Sequence, residues 1–103
     1  MKVIINADDF GHDVATSDAI MQAFRSGYIT QATVMVNMPD CERAVNEAKT
    51  ASFGDRIGIH INLTDGVPLT EPIRSSRFFC DDSGNFDGSA VLQKKIFFAI
   101  FQL

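Results

Sequence analysis

KVIINADDFG, residues 2–11, is the stretch on which the fold turns. Residues 2–7 are rich in β-branched apolar side chains and run into Asp8, Asp9 and Gly11, which reads as a buried strand entering a loop. Downstream, Ile20, Met21, Ala23 and Phe24 recur at helical spacing and Gly27 follows as a stop, so the pattern predicts a helix over residues 15–26, capped by Thr16 or Ser17. Residues 30–38 (TQATVMVNM) are again β-branched and are closed by Pro39 and Asp40. They predict a second strand, then a helix beginning near Asp40 with Ala44, Val45 and Ala48 as its apolar stripe. After the turn at Gly54-Asp55, residues 56–63 (RIGIHINL) alternate strictly, with Ile57, Ile59, Ile61 and Leu63 on one face and Gly58, His60 and Asn62 on the other. Strand, helix, strand, helix, strand with short connections is the pattern of βαβ units building a parallel sheet, so the fold class is α/β.

Past Thr64 the pattern loosens into a Gly-, Pro- and Asp-rich stretch up to Gly88 that predicts one long loop, and loops of such length in compact domains are commonly functional. Residues 89–103 predict a helix carrying Val91, Leu92, Ile96, Phe97, Ala99, Ile100 and Phe101. Its end is apolar almost all round and therefore needs cover on every side. An uncovered apolar surface of this kind makes a homo-oligomer an expectation.

Composition narrows the function classes. With 103 residues, 46% hydrophobic and 21% charged, the chain is that of an ordinary soluble globular protein and allows one domain at most. A net charge of −4, with Lys94-Lys95 as the only adjacent basic pair, argues against a nucleic-acid partner. Cys41 and Cys80 form no C-x-x-C spacing and no secretory leader precedes them, so reduced thiols in a cytoplasmic protein are expected. A membrane partner is not expected either: the longest apolar run, residues 96–101, falls far short of the about 20 residues that span a bilayer.

The residues that could carry chemistry are few. Asp8 and Asp9 follow the first strand, and ligands of parallel α/β sheets gather beyond the carboxyl ends of the strands. Adjacent carboxylates repel, so the pair suits a bound cation, or a base with a raised pKa; it also suits a plain loop start or cap. His60 stands within the third strand beside Gly58 and Asn62, which together offer room and polarity, although a satisfied core histidine is the alternative reading. Were the third strand to lie beside the first, His60 and the Asp pair would converge, and carboxylate plus imidazole is metal-site chemistry. Asn6 is placed to orient Asp8 or the turn, Asn62 is assigned to substrate binding, and His12 lies in a loop just past the acids.

Asn6-Ala7-Asp8-Asp9-Phe10-Gly11 together with Gly58-Ile59-His60-Ile61-Asn62-Leu63-Thr64 resemble the two leading motifs of the YdjC-like family, and Gly27-Tyr28-Ile29-Thr30 and Val34-Met35-Val36-Asn37 match its pattern too. The resemblance runs over roughly residues 1–70, and KKIFFAIFQL, residues 94–103, resembles no family segment. It implies a (β/α) barrel of the glycoside hydrolase/deacetylase type. The implied activity removes acetyl groups from N-acetylglucosamine units of chitooligosaccharides such as diacetylchitobiose, so a small oligosaccharide is the expected partner. By the same resemblance Asp9 and His60 bind a divalent metal, Mg2+ or Zn2+, and Asp8 is the general base that takes a proton from the attacking water. Family members are considerably longer, and a further metal-binding histidine lies in a His-rich stretch that would fall beyond Leu103. Residues 1–103 are therefore expected to be a single barrel domain cut short at its C-terminus.

Two other function classes compete. A receiver-type phosphoacceptor domain would also place an Asp pair after its first strand, but it needs a phosphorylatable Asp ending the third strand and a lysine ending a fifth. A sugar- or metal-binding module without turnover would bind oligosaccharide and release no acetate.

Overall fold

Three strands, β1 (Asn6–Phe10), β2 (Gln31–Val34) and β3 (Ile57–Ile59), form a parallel sheet in the order β1-β2-β3. Helix α1 (Val14–Arg25) connects the first pair and α2 (Cys41–Thr50) the second, which gives the expected α/β alternation. The computed structural model describes residues 1–101, excluding the side chain of Phe101. They fall into two compact units, Met1–Ile61 and a second from Asn62 onward.

Register sorts the first unit's residues by face. Asn6 pairs with Gln31, Ala7 with Ala32, Ala32 with Ile57 and Thr33 with Gly58, so alternation puts Ala7, Ala32, Val34 and Ile57 on one face. That face packs with Ile20, Met21 and Phe24 of α1 and Ala44 and Ala48 of α2, and the Phe24 and Phe53 rings stack at 4.9 Å. The predicted stripe of α2 is therefore the one that is buried. Asn6, Asp8, Gln31, Thr33 and Gly58 take the other face.

Boundaries differ from the expected ones. The first strand covers residues 6–10 and not 2–7; Ile5 still accepts from the Thr30 and Gln31 amides, but the ladder proper begins at Asn6, so both aspartates lie inside the strand. The second strand stops at Val34 because the chain turns from Met35 to Met38. The third is shortened at its start by a 3-10 turn, Gly54–Arg56, and ends at Ile59, so His60 follows the strand instead of standing mid-strand, although its amide still donates to the Val34 carbonyl. Of the predicted apolar face only Ile57 joins the core. Ile59 and Ile61 stay exposed because β3 is an edge of the described sheet.

Asp13 caps α1, not Thr16 or Ser17: its carboxylate accepts the Thr16 amide at 2.8 Å, and extended backbone at the cap frees it to do so. Ser17 is fully buried, and its hydroxyl accepts the Gly11 amide at 3.1 Å. Between the helices, Arg43 grips the buried Asp40 with Nε to Oδ1 at 2.6 Å and Nη2 to Oδ2 at 2.8 Å, and reaches Asp18 of α1 at 2.9 Å. The Thr16 amide and then His12 bring the Asp13 carboxyl down to about 2. The Arg43 guanidinium holds Asp40 below its ordinary value against the opposing effect of burial. A carboxyl depressed in the folded state contributes stability above its unfolded pKa and loses it as pH falls through the folded one. Thermal unfolding followed by circular dichroism should therefore show a midpoint that drops between about pH 4 and about pH 2. The double variant Asp13→Asn/Asp40→Asn should flatten that drop; an unchanged slope would assign acid sensitivity to other groups.

In the second unit the predicted long loop is partly ordered. A short helix α3 (Glu71–Arg74) is followed by an isolated antiparallel bridge between buried Cys80 and Phe86. The bridge closes over a turn in which Asp81 Oδ1 accepts the amides of Ser83 and Asn85. Helix α4 (Ser89–Phe101) matches the predicted helix, and Ile96, Phe97, Phe98 and Ile100 are exposed along it. Residues 102–103 and the expected apolar side chain of Phe101 lie outside the described residues. Both cysteines are free, and no described helix is long and apolar enough to cross a membrane.

Candidate active site

Neighbouring residues on a regular strand point to opposite faces, so Asp8 and Asp9 ought to be split across the sheet. The register of β1 against β2 shifts between Ala7 and Phe10, and Asp9 sits in the left-handed region at φ 65°. This irregularity in β1 inserts one residue into the pairing and re-aims the next side chain. Left-handed backbone is rare for a residue other than glycine, though Asp tolerates it better than most. Asp8 Oδ1 consequently lies 4.0 Å from His60 Nδ1, and Asp9 Oδ1 lies 3.6 Å from His60 Nε2. Both carboxylates flank one imidazole. The aspartates are open to solvent and the imidazole is part-buried.

Strand order differs from the condition set out above: β2 lies between β1 and β3. Convergence survives because Thr33, in the intervening strand, is short and polar. Asn6 Nδ2 donates to Asp8 Oδ1 at 2.8 Å and to Thr33 Oγ1 at 3.3 Å; Thr33 Oγ1 donates to Asp8 Oδ1 at 3.2 Å and lies 3.3 Å from His60 Nδ1. Asn6 thus does orient Asp8. Thr33 escaped the sequence reading. The signal for it is present, since a strand covered on both faces is normally near-continuous in apolar residues, and Gln31 and Thr33 interrupt that pattern on one face only.

Asn62 and His12 both make local side-chain bonds. Asn62 begins the second unit, and its side chain accepts the Thr64 and Asp65 amides at 3.0 and 2.9 Å and donates to the Asp65 carbonyl at 2.7 Å, closing a local turn. His12 Nδ1 pairs with Asp13 at 2.8 Å.

The donor set can be tested against a metal ion. Magnesium and zinc bind oxygen and nitrogen at about 2.0–2.2 Å, so two ligands of one ion lie within about 4 Å of each other. The 3.6 Å between Asp9 Oδ1 and His60 Nε2 fits. Asp8 stands on the Nδ1 side of the ring, away from the nitrogen that would share an ion with Asp9. Among the described residues no group of three or more His, Cys, Asp or Glu side chains is arranged as a complete metal cage.

The chain is 42% identical over 87 residues to a carbohydrate deacetylase of Clostridium beijerinckii, covering 84% of this chain and 34% of that protein. It is 51% identical over 71 residues to carbohydrate deacetylase 2 of Listeria innocua, covering 68% of this chain and 28% of the relative. The chain thus spans about a third of the length of these curated relatives. A crystal structure from Enterococcus faecalis, named as that of a cellobiose-phosphate cleavage protein, superposes with a TM-score of 0.76 at 28% identity, over 89% of this chain and 36% of that one. The sequence model for the YdjC-like protein family matches residues 2–100, well past the limit near residue 70 that the motifs alone suggest, and takes in most of the KKIFFAIFQL segment. On that match the chain belongs to the YdjC-like family.

Proposed function

We propose that this chain carries the base and part of the metal site of a carbohydrate deacetylase that hydrolyses N-acetyl groups of chitooligosaccharides, with β1 to β3 opening a (β/α) barrel. The observation that carries this reading is the irregularity at Asp9, which brings two carboxylates to one imidazole on the polar face of the sheet. The relatives' names add support, since they specify deacetylation of carbohydrates, and the solved neighbour's name also concerns a sugar.

In this reading Asp9 and His60 would hold a divalent cation, magnesium or zinc, which would supply Lewis-acid polarisation of the acetyl carbonyl. Asp8 is the general base. Both hydrogen bonds from Asn6 and Thr33 go to its Oδ1, which fixes the carboxylate plane and leaves Oδ2 to receive the water proton. The water oxygen bonds to the acetyl carbon, the C–N bond breaks, the sugar amine takes up a proton, and acetate leaves. Free Cys41 and Cys80 suit a reducing, cytoplasmic setting.

The test is acetate release from N,N′-diacetylchitobiose with added magnesium or zinc and with a chelator. It is run on the chain itself and on a chimera in which the chain replaces the matching segment of the Clostridium beijerinckii relative. Metal-dependent release by the chimera is expected. A folded chimera that binds the sugar and releases no acetate would favour a binding module without turnover, and one that neither binds nor hydrolyses it would remove the substrate assignment.

A further inference from the structure

We propose that Thr33 is a positioning residue that fixes His60 in its Nδ1–H tautomer, so that the Nε2 lone pair faces Asp9. The inference rests on the reading above, in which Nε2 is the ligating nitrogen, and the protons available around the Thr33 hydroxyl decide it. Thr33 Oγ1 lies within hydrogen-bond reach of three groups: Asn6 Nδ2 at 3.3 Å, Asp8 Oδ1 at 3.2 Å and His60 Nδ1 at 3.3 Å. A hydroxyl has one proton to give and two lone pairs to receive. Asn6 Nδ2 can only donate and an ionised Asp8 can only accept, so the hydroxyl proton goes to Asp8 and one lone pair to Asn6. What remains for His60 is the second lone pair, so Nδ1 must bring the proton. Were the hydroxyl to point at His60 instead, Thr33 Oγ1 and Asp8 Oδ1 would face each other as two acceptors at 3.2 Å with nothing between them.

Direct orientation by Asp8 is excluded by distance, because 4.0 Å to Nδ1 is beyond a hydrogen bond. Thr33 therefore links the base to the ligand. The hydroxyl that steers the Asp8 carboxylate also sets which nitrogen of His60 is a lone-pair donor, as the outer partners of metal-bound histidines commonly do.

The tautomer can be read without metal or substrate. Two-bond 1H–15N correlation spectra of the 15N-labelled 103-residue chain contain only His12 and His60, and His60→Gln assigns them. At about pH 9, well above the ordinary histidine range, His60 is expected to show a pyrrole-like Nδ1 and a pyridine-like Nε2. Thr33→Val, which keeps shape and removes the hydroxyl, should lose that pattern in favour of the Nε2–H form or a mixture, and Thr33→Ser should restore it. Zinc affinity measured by dye competition should fall about 10- to 100-fold in Thr33→Val and recover in Thr33→Ser. An Nε2–H tautomer in the wild-type chain, or an unchanged Nδ1–H tautomer in Thr33→Val, would overturn the proposal. The tautomer pattern as expected alongside a chimera that releases no acetate would sink the deacetylase reading and leave the role of Thr33 intact.

Discussion

Asp8→Asn should lower kcat for acetate release by about 10²- to 10⁴-fold, the range that a positioned general base contributes. The substitution is nearly isosteric, and the amide oxygen can still accept from Asn6 and Thr33, so the local hydrogen bonds at Oδ1 have a replacement. What is lost is the second oxygen: an amide nitrogen there cannot take a proton from water. Because Asp8 lies on the Nδ1 side of His60, metal affinity should hold while kcat falls. Steady-state kinetics on the chimera, with zinc affinity measured in parallel, separate the roles. Wild-type kcat in the variant would strip Asp8 of the base assignment, and a parallel collapse of metal affinity would move it into the ligand set.

Gly11→Ala is expected to be among the most destabilising single changes in the first unit. Gly11 has φ +85°, and a Cβ built on it would lie 2.9 Å from the Cys41 Cα and 3.2 Å from Val34 Cγ2. The first of these is backbone at the start of α2 and has nowhere flexible to go. Left-handed backbone with a side chain costs about 1–2 kcal/mol, and overfilling a packed region about 1–3 kcal/mol more, so a loss of about 2–5 kcal/mol is expected. That is a large share of the roughly 5–15 kcal/mol that holds a typical domain together. The contacts at risk are the Gly11 amide to Ser17 Oγ and the Gly11 carbonyl, which accepts from the Asp40 amide at 3.1 Å. Gly27→Ala is the control, with φ +72° and nothing within 4 Å of its added Cβ. In urea unfolding the two variants should differ by the steric part alone; equal losses would mean that the approach to Cys41 is relieved by a small shift of α2.

Much of this was legible in the sequence because it rests on period. The α/β alternation, the buried stripe of α2, the apolar side chains along α4 and the place of Gly58 on the polar face of β3 all follow from side-chain spacing. What period cannot carry is a break in itself. Alternation assigns Asp8 and Asp9 to opposite faces, and only the register shift in β1 shows that both reach His60. Asp13 outcompeted the hydroxyls of Thr16 and Ser17 as cap because capping depends on where the helix begins, and Ser17 proved to be a buried partner of Gly11. Thr33 shows in the sequence only as a polar break in an apolar strand. Its importance comes from standing between strands whose order the chain does not spell out, where a hydroxyl meets groups contributed by β1 and by the residue after β3.

The left-handed turn of backbone at Asp9 also decides what can be transplanted. A protein engineer who copied the Asp-Asp dipeptide and a facing histidine onto an uninterrupted strand of another scaffold would obtain acids that look away from each other through the sheet. The portable unit is the dipeptide set as two residues opposite the single Thr33, and on a scaffold that keeps one-to-one pairing the same side chains would not meet.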